Sequence, residues 1–322
     1  MYNRFSDYLF KKYGAKTYKL PINIAGTCPN KDGTVGNAGC IFCGEESAGF
    51  EALPSQTTIK AQIEFGAQLM RRKYGARKFI AYFQNWSGTY RPLADLERIV
   101  REACEAGRVL ASEKTPQPSG ASAPSGTEVP EYEVKIVAIY IATRPDCLDD
   151  ECLELLTRLK EEYCVDIVLE IGLQTVNAAA LKFLNRGHSV AQFEDAVARV
   201  HAHGLEVCAH MILGLPMDTM ADIIEGARLL SRLGVEQVKC HSLFVLEGTR
   251  LGELYKAGEI QMITKDEFIA RTLEFLKHLS PEIAVQRLLG RAPEGKALFC
   301  NWDTSWWKIR DEIDEKIVRN MP

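Results

Sequence analysis

The stretch YKLPINIAGTCPNKDGTVGNAGCIFCG, residues 18–44, joins a short apolar run to a glycine-rich loop with three cysteines. The apolar run is typical of a strand that is buried on both faces of a parallel sheet. Eleven residues separate Cys28 from Cys40, and two separate Cys40 from Cys43. Because working residues of parallel α/β folds lie at the carboxyl ends of strands, we expect a functional site in this loop.

The apolar run is the first of six along the chain. The others cover residues 78–85, 134–143, 165–173, 205–214 and 235–245. Amphipathic helical patterns lie between them, so the chain repeats a strand–helix unit. This alternation predicts an α/β fold, either an open doubly wound sheet or a full or partial barrel.

One segment interrupts the alternation. Twelve of the nineteen residues from 112 to 130 are Pro, Gly, Ser or Thr, which predicts a disordered surface insertion. We expect residues 1–250 to form the main domain and residues 251–322 a C-terminal helical extension packed on it. Trp302, Trp306 and Trp307 are expected to anchor that extension by packing.

Composition narrows the class of protein. The 322 residues are 46% hydrophobic and 25% charged, which is ordinary for a globular chain, and the net charge of -4 provides no general attraction for nucleic acid. The N-terminus lacks a signal peptide and no apolar run could span a membrane, which predicts a cytoplasmic protein without a membrane partner. In that reducing compartment clustered cysteines are metal ligands or catalysts, and a disulfide framework is not expected.

Two kinds of metal site are compatible with three clustered thiolates. A [4Fe–4S] cluster takes four ligands, so three cysteines would leave one iron open. The alternative is zinc with a distant fourth ligand, such as His188, His210, His241 or another cysteine, in a non-catalytic nucleic-acid-binding protein. No second cysteine pair follows Cys43 at zinc-finger spacing, which favours the cluster.

Further motifs follow the cysteine loop in a fixed order: TRPDCLDDE (143–151), EIGLQTVNAAALKFLNRGHS (170–189), MILGLP (211–216) and CHSLFVLEGT (240–249). With the cysteine loop they resemble the radical SAM superfamily. Within it they are similar to the group of the Elongator catalytic subunit and its smaller bacterial branch of YhcC/YtqA type. The resemblance implies a partial (β/α)6 TIM-like barrel of radical SAM type.

The resemblance also implies an enzyme with two cofactors. Cys28, Cys40 and Cys43 would bind a [4Fe–4S] cluster whose open iron binds S-adenosyl-L-methionine. Reductive cleavage of that molecule, with an electron from a donor such as flavodoxin or ferredoxin, would yield a 5′-deoxyadenosyl radical that abstracts hydrogen from the substrate. The relatives suggest tRNA as substrate, with modification of a wobble uridine, and a small molecule is the alternative.

The remaining site residues fall into two groups. Those expected to contact S-adenosylmethionine, by resemblance, follow the second, third and fourth strands: Gln84, Asn85, Ser87, Thr143, Arg144, Gln174 and Arg186. The candidates for catalysis on the substrate side are Glu170, His210, His241 and Arg287, although the two histidines could equally be hydrogen-bonded core residues.

Overall fold

An eight-stranded parallel sheet forms the centre of the computed structural model, which describes residues 2–44, 52–112, 135–293 and 295–319. The strands are β1 Asn3–Arg4, β2 Thr17–Ile22, β3 Lys78–Phe83, β4 Lys135–Thr143, β5 Asp166–Gln174, β6 Glu206–Ile212, β7 Gln237–His241, β8 Val245–Leu246, β9 Ala284–Arg287 and β10 Ala297–Phe299. The helices are α1 Phe5–Tyr13, α2 Ile59–Tyr74, α3 Leu93–Ser112, α4 Asp150–Tyr163, α5 Ala178–Phe183, α6 Val190–Ala202, α7 Met220–Leu233, α8 Arg250–Lys256, α9 Lys265–His278 and α10 Trp306–Arg319.

The strand order in the sheet is β1-β9-β7-β6-β5-β4-β3-β2. The six predicted strands are present as β2 to β7, and they lie side by side in chain order, which confirms the partial barrel. Two further strands, which sequence analysis missed, extend the edge beyond β7. Strand β9 pairs with β7, and the two-residue β1 pairs with β9.

The two faces of the sheet bury different side chains, as the period-two alternation of a strand requires. On the outer face the sheet packs against α2, α3, α4, α6, α7 and α9 in one large apolar core. On the inner face α1 closes one end of the barrel, where Leu9 packs with Tyr82, Tyr140 and Val168. The inner face also carries buried polar side chains, among them Glu170 and Lys239.

The C-terminal segment differs from the expected helical extension, because it contributes β9 to the main sheet and pairs β10 with β8. Trp302 packs against Phe268 and donates its indole N–H to the carbonyl of Ile263, so it is an anchor as predicted. Trp306 and Trp307 are 40% and 46% exposed, so the same prediction was wrong for them. They lie in the first turn of α10, which buries Ile309 and Ile313 on another face.

Two predictions on domain organisation have no test here. Of the predicted insertion, residues 112–130, only Ser112 lies within the described residues, where it ends α3. The division of the chain at residue 250 stays a prediction. No helix in the described ranges is both long and apolar enough to cross a bilayer.

Candidate active site

The cysteine loop follows β2 at the carboxyl edge of the sheet. We call the loops after the carboxyl ends of β2 to β6 the rim. Within the cysteine loop, the amide of Cys43 donates to the carbonyl of Cys40 at 2.9 Å, and the amide of Ile41 donates to the carbonyl of Leu184 at 3.1 Å. Gly39 has a φ of +70°, which a residue with a side chain rarely adopts, and it turns the backbone into Cys40. The loop is thus fixed by its backbone.

Cys40 is buried, and polar groups surround its sulfur. The guanidinium Nη1 of Arg186 donates to Cys40 Sγ at 3.0 Å, and the amide of Asn30 lies 3.6 Å from the same atom. Burial raises the pKa of the neighbouring Cys43 thiol, and the proximity of Cys40 adds to that effect. A cation such as Arg186 offsets this cost, because it favours the thiolate form that binds metals.

The three sulfur atoms are not gathered around one point. The sulfurs of Cys28, Cys40 and Cys43 are not all within 4.8 Å of one another. Around a single tetrahedral zinc, with bonds of about 2.3 Å, ligand sulfurs would lie about 3.8 Å apart. The spacing of the three sulfurs therefore disfavours a preformed single-zinc site.

The loop after β3 places a free acceptor beside the cysteine loop. Asn85 is buried and donates its amide to the side chain of Asn23, but its own Oδ1 has no hydrogen-bond partner among the residues the structure describes. Unpaired buried acceptors are rare in folded proteins and suggest a missing donor. Gln84 and Ser87 are buried beside it, and the amide of Ser87 donates to the carbonyl of Thr27 at 3.3 Å.

The side chains after β4 are engaged within the protein. The hydroxyl of Thr143 lies 2.6 Å from that of Thr89. Arg144 forms a two-pronged pair with Asp146, at 2.8 and 2.7 Å, and its Nη1 donates to the carbonyl of Arg186 at 2.7 Å. Arg144 therefore holds the backbone that carries Arg186.

Gln174 and Arg186 lie next to each other above β5. Both side chains cross Gly172, where a Cβ atom would be 2.6 Å from Nε2 of Gln174 and 2.9 Å from Nη2 of Arg186. Burial, together with Arg186, lowers the pKa of His188 to about 3, so its imidazole is neutral. The Nε2 atom of His188 then accepts from Nε of Arg186 at 3.3 Å, which fixes the guanidinium.

A second polar group lies inside the barrel, with Glu170 at its centre. Glu170 is 0% exposed and binds the ammonium of Lys19, the ammonium of Lys239 at 3.1 Å, and His210 at 2.9 Å. Gln286 donates to the same carboxylate at 3.0 Å. Burial alone would raise the pKa of Glu170, but the two lysines hold it well below its usual range.

The same group continues from His210 to Arg287. The rings of His210 and His241 are 5.6 Å apart, and Nη2 of Arg287 lies 3.1 Å from Nδ1 of His241. Burial lowers the pKa of His210 to about 4, and burial with the charge of Arg287 holds that of His241 well below its usual range. Both histidines are therefore neutral near pH 7. We call Lys19, Glu170, His210, Lys239, His241, Gln286 and Arg287 the interior network.

The interior network contains all four predicted substrate-side residues, and it also contains Lys19, Lys239 and Gln286, which sequence analysis missed. The missed lysines had a signal, because each stands inside an apolar run, where a charge must be paired or functional. Ligand atoms of Glu170, Cys208 and His210 come within 4.8 Å of one another, but the carboxylate already binds two ammonium groups. That arrangement disfavours a cation there.

Comparison with protein families identifies the class. The model of the radical SAM superfamily matches residues 23–230, and that of the radical SAM C-terminal domain matches residues 235–319. The chain belongs to the radical SAM superfamily, and it is a radical SAM enzyme with a [4Fe–4S] cluster and S-adenosyl-L-methionine as cofactors.

Individual relatives place the chain within the superfamily. It is 31% identical to the uncharacterized protein MJ0486 of Methanocaldococcus jannaschii, over 98% of this chain and 88% of that protein. It is 29% identical to the uncharacterized protein YtqA of Bacillus subtilis, over 98% and 89% of the two chains. These matches confirm the predicted branch.

Two further matches are with Elongator-like proteins. The tRNA uridine(34) acetyltransferase of Methanocaldococcus jannaschii is 28% identical over 47% of this chain, but the match covers only 27% of that protein. The structure of archaeal Methanocaldococcus infernus Elp3 superposes with a TM-score of 0.66 at 16% identity, over 95% of this chain and 64% of that one. The structural match supports the fold alone.

Proposed function

We propose that this radical SAM enzyme modifies a wobble uridine of tRNA, and that Cys28, Cys40 and Cys43 are the ligands of its cluster. The observation that carries the assignment is a loop of three cysteines at the carboxyl edge of the barrel. Three thiolates leave one iron available to S-adenosylmethionine. The bound cofactors supply reductive cleavage of the sulfonium and, through it, hydrogen-atom abstraction. The residues of the chain bind, orient and enclose them.

The rim residues would hold S-adenosylmethionine by complementary charge. The unpaired Oδ1 of Asn85 suits the ammonium of the methionine moiety, with Gln84 and Ser87 beside it. Arg186 and Gln174 offer donors for the carboxylate and the ribose, and a guanidinium suits a carboxylate best. Thr143 and Arg144 remain proposed for the ribose region, where Arg144 acts through the backbone of Arg186.

Support for tRNA comes from the similarity to a tRNA uridine(34) acetyltransferase over about half of this chain. Because only 27% of that protein is matched, its acetyl transfer is not part of the proposal. The electron donor would be a flavodoxin or ferredoxin, and the cytoplasm is the proposed location because it would bring donor and tRNA together.

Anaerobic reconstitution tests the cofactor assignment. The purified protein should take up about four irons per chain, as a [4Fe–4S] cluster requires. Reduced by flavodoxin in the presence of S-adenosylmethionine, it should release 5′-deoxyadenosine. One zinc per chain without iron uptake would contradict the three-cysteine assignment.

Comparison of tRNA nucleosides tests the substrate. Digested tRNA from wild-type cells, deletion cells and complemented deletion cells would be separated by liquid chromatography and identified by mass spectrometry. We expect one wobble-uridine nucleoside to change on deletion and to return on complementation. An unchanged profile would reject tRNA and favour a small-molecule substrate.

A further inference from the structure

The interior network carries more positive than negative charge. Glu170 is the one carboxylate among its seven members; Lys19 and Lys239 bind it, whereas Arg287 lies against His241. If the negative charge of Glu170 is taken to neutralise Lys19, the charges of Lys239 and Arg287 are left without a carboxylate to balance them. The neighbouring histidines are neutral near pH 7 and add no charge.

Arg287 is the least compensated member of the network. Within the described ranges its Nη2 meets only the neutral imidazole of His241, and its Nε is buried without a hydrogen-bond partner. No carboxylate of the described residues forms an ion pair with it. A sheltered cation without a partner costs free energy, so an arrangement of this kind is expected where a ligand supplies the anion.

The network is accessible to a small chemical group. The side chains of His210 and Lys19 are 15% and 16% exposed, and His241 and Arg287 are half-buried, although they lie on strands of the central sheet. The guanidinium packs against Gly290, where a Cβ atom would lie 3.2 Å from Nη2 of Arg287, so the lack of a side chain there permits this position of Arg287. Residues that meet in register on β6, β7 and β9 therefore line a space that solvent reaches.

We infer that the barrel interior binds an oxyanion of the substrate, a carboxylate or a phosphate, with Arg287 as its principal contact. The planar guanidinium can offer its two Nη groups to two oxygens of the same group. Lys239 supplies a second positive charge from the adjacent strand, in register with Arg287. This proposal rests on the proposed function, which requires that substrate enters the barrel. The oxyanion would belong to an acidic nucleotide or to a small acid.

The experiment measures binding of two simple anions. Reconstituted protein with S-adenosylmethionine would be titrated calorimetrically with sodium acetate and with inorganic phosphate at equal ionic strength. The variants are R287Q, R287K and the matched surface control R232Q, whose arginine is 58% exposed. Iron content and thermal unfolding of each variant confirm that it is folded and loaded.

We expect one of the two anions to bind, and R287Q to weaken that binding at least tenfold, because a charged hydrogen-bonded pair is lost. R232Q should bind as the wild type does, and R287K should retain more affinity than R287Q. Preference for acetate assigns a carboxylate, and preference for phosphate assigns a phosphate. Absence of binding by both anions, or equal binding by wild type and folded R287Q, would overturn the inference.

This assay is independent of tRNA. An unchanged nucleoside profile together with anion binding that requires Arg287 would reject tRNA and keep the oxyanion site. A changed wobble-uridine profile, together with an anion affinity that is the same in wild type and R287Q, would keep the proposed function and reject the oxyanion site.

Discussion

Asp218 in the rim and Glu170 in the interior network are both buried carboxyl groups, at 4% and 0% exposure, but their pKa values shift in opposite directions. Burial raises the pKa of Asp218 to about 6, and its Oδ1 lacks a hydrogen-bond partner among the described residues. Glu170 is more deeply buried, yet Lys19 and Lys239 hold its pKa well below the usual range. Burial therefore does not decide ionisation; the nearby cations do.

The difference extends to the two regions as wholes. The rim is built from loops that hydrogen-bond to one another, as Arg144 does to the carbonyl of Arg186 and Ile41 to that of Leu184. The interior network is built from strands, and its side chains share Glu170 as a common partner. Substitutions of the rim residues that are proposed to contact S-adenosylmethionine should therefore affect cofactor binding, and removal of the shared carboxylate of Glu170 should affect the stability of the barrel.

The largest expected effect is that of Cys40→Ala. Loss of a buried thiolate from a three-ligand site should abolish cluster assembly and with it the release of 5′-deoxyadenosine. Iron content and chromatographic detection of 5′-deoxyadenosine would measure both. Cys164→Ser, which alters an exposed cysteine at the end of α4, is the control and should retain both properties. Full activity of the Cys40 variant would remove the cysteine loop from the site.

Glu170→Gln should destabilise the protein by about 3 kcal/mol, because it leaves two buried lysines without their anion. Urea unfolding gives the free energy. The control is Glu225→Gln, which breaks an exposed pair with Arg232 and should cost less than about 1 kcal/mol. Equal losses of stability in the two variants would contradict the prediction that Glu170, as the shared partner of two buried lysines, stabilises the fold more than an exposed ion pair does.

Asp218→Asn tests the raised pKa of Asp218, which should make the wild-type protein less stable as the pH rises, whereas a salt-bridged acid would make it more stable. Between pH 4 and 6 the unfolded chain ionises this residue, while the folded chain keeps it protonated, so the folded state binds more protons and wild-type stability falls as pH rises. The asparagine variant lacks this loss. Its stability relative to wild type should rise by about 2 kcal/mol from pH 4 to pH 6 and stay level above. A constant difference across that range would contradict the raised pKa.

The smallest effect is expected for Gly172→Ala. The new methyl group would displace the side-chain ends of Gln174 and Arg186 and weaken the hydrogen bonds from Arg186 to Cys40 and His188. We expect about 1 kcal/mol of destabilisation and an increase of about tenfold in KM for S-adenosylmethionine, because both side chains are proposed to bind it. Unchanged KM would argue against Gln174 and Arg186 as cofactor contacts.

The sequence predicted the repeated features better than the short ones. Six strands were found because each is a continuous apolar run, whereas β9 has four residues and β1 two, too few for a pattern. The pairing of β9 with β7 depends on tertiary contacts that no local signal encodes.

Site residues show the same limit. The cysteine spacing and the motif order were sufficient to predict the superfamily and its cofactors. They could not show that Arg144 donates to the carbonyl of Arg186, or that Oδ1 of Asn85 lacks a partner among the described residues, because both facts depend on the packing of separate loops. Lys19 and Lys239 were visible as charges within apolar runs, but their shared partner appears only once β2, β5 and β7 curve around one space.

The pairing of β1 with β9 has a consequence for synthesis. Asn3 lies opposite Ala284, so β1 finds its neighbour only after the chain as far as β9 has left the ribosome. Gln286 and Arg287 enter the barrel with that same late strand. A nascent chain therefore carries an open sheet edge until β9 has emerged, and cells that lack chaperones for such edges should yield more aggregate.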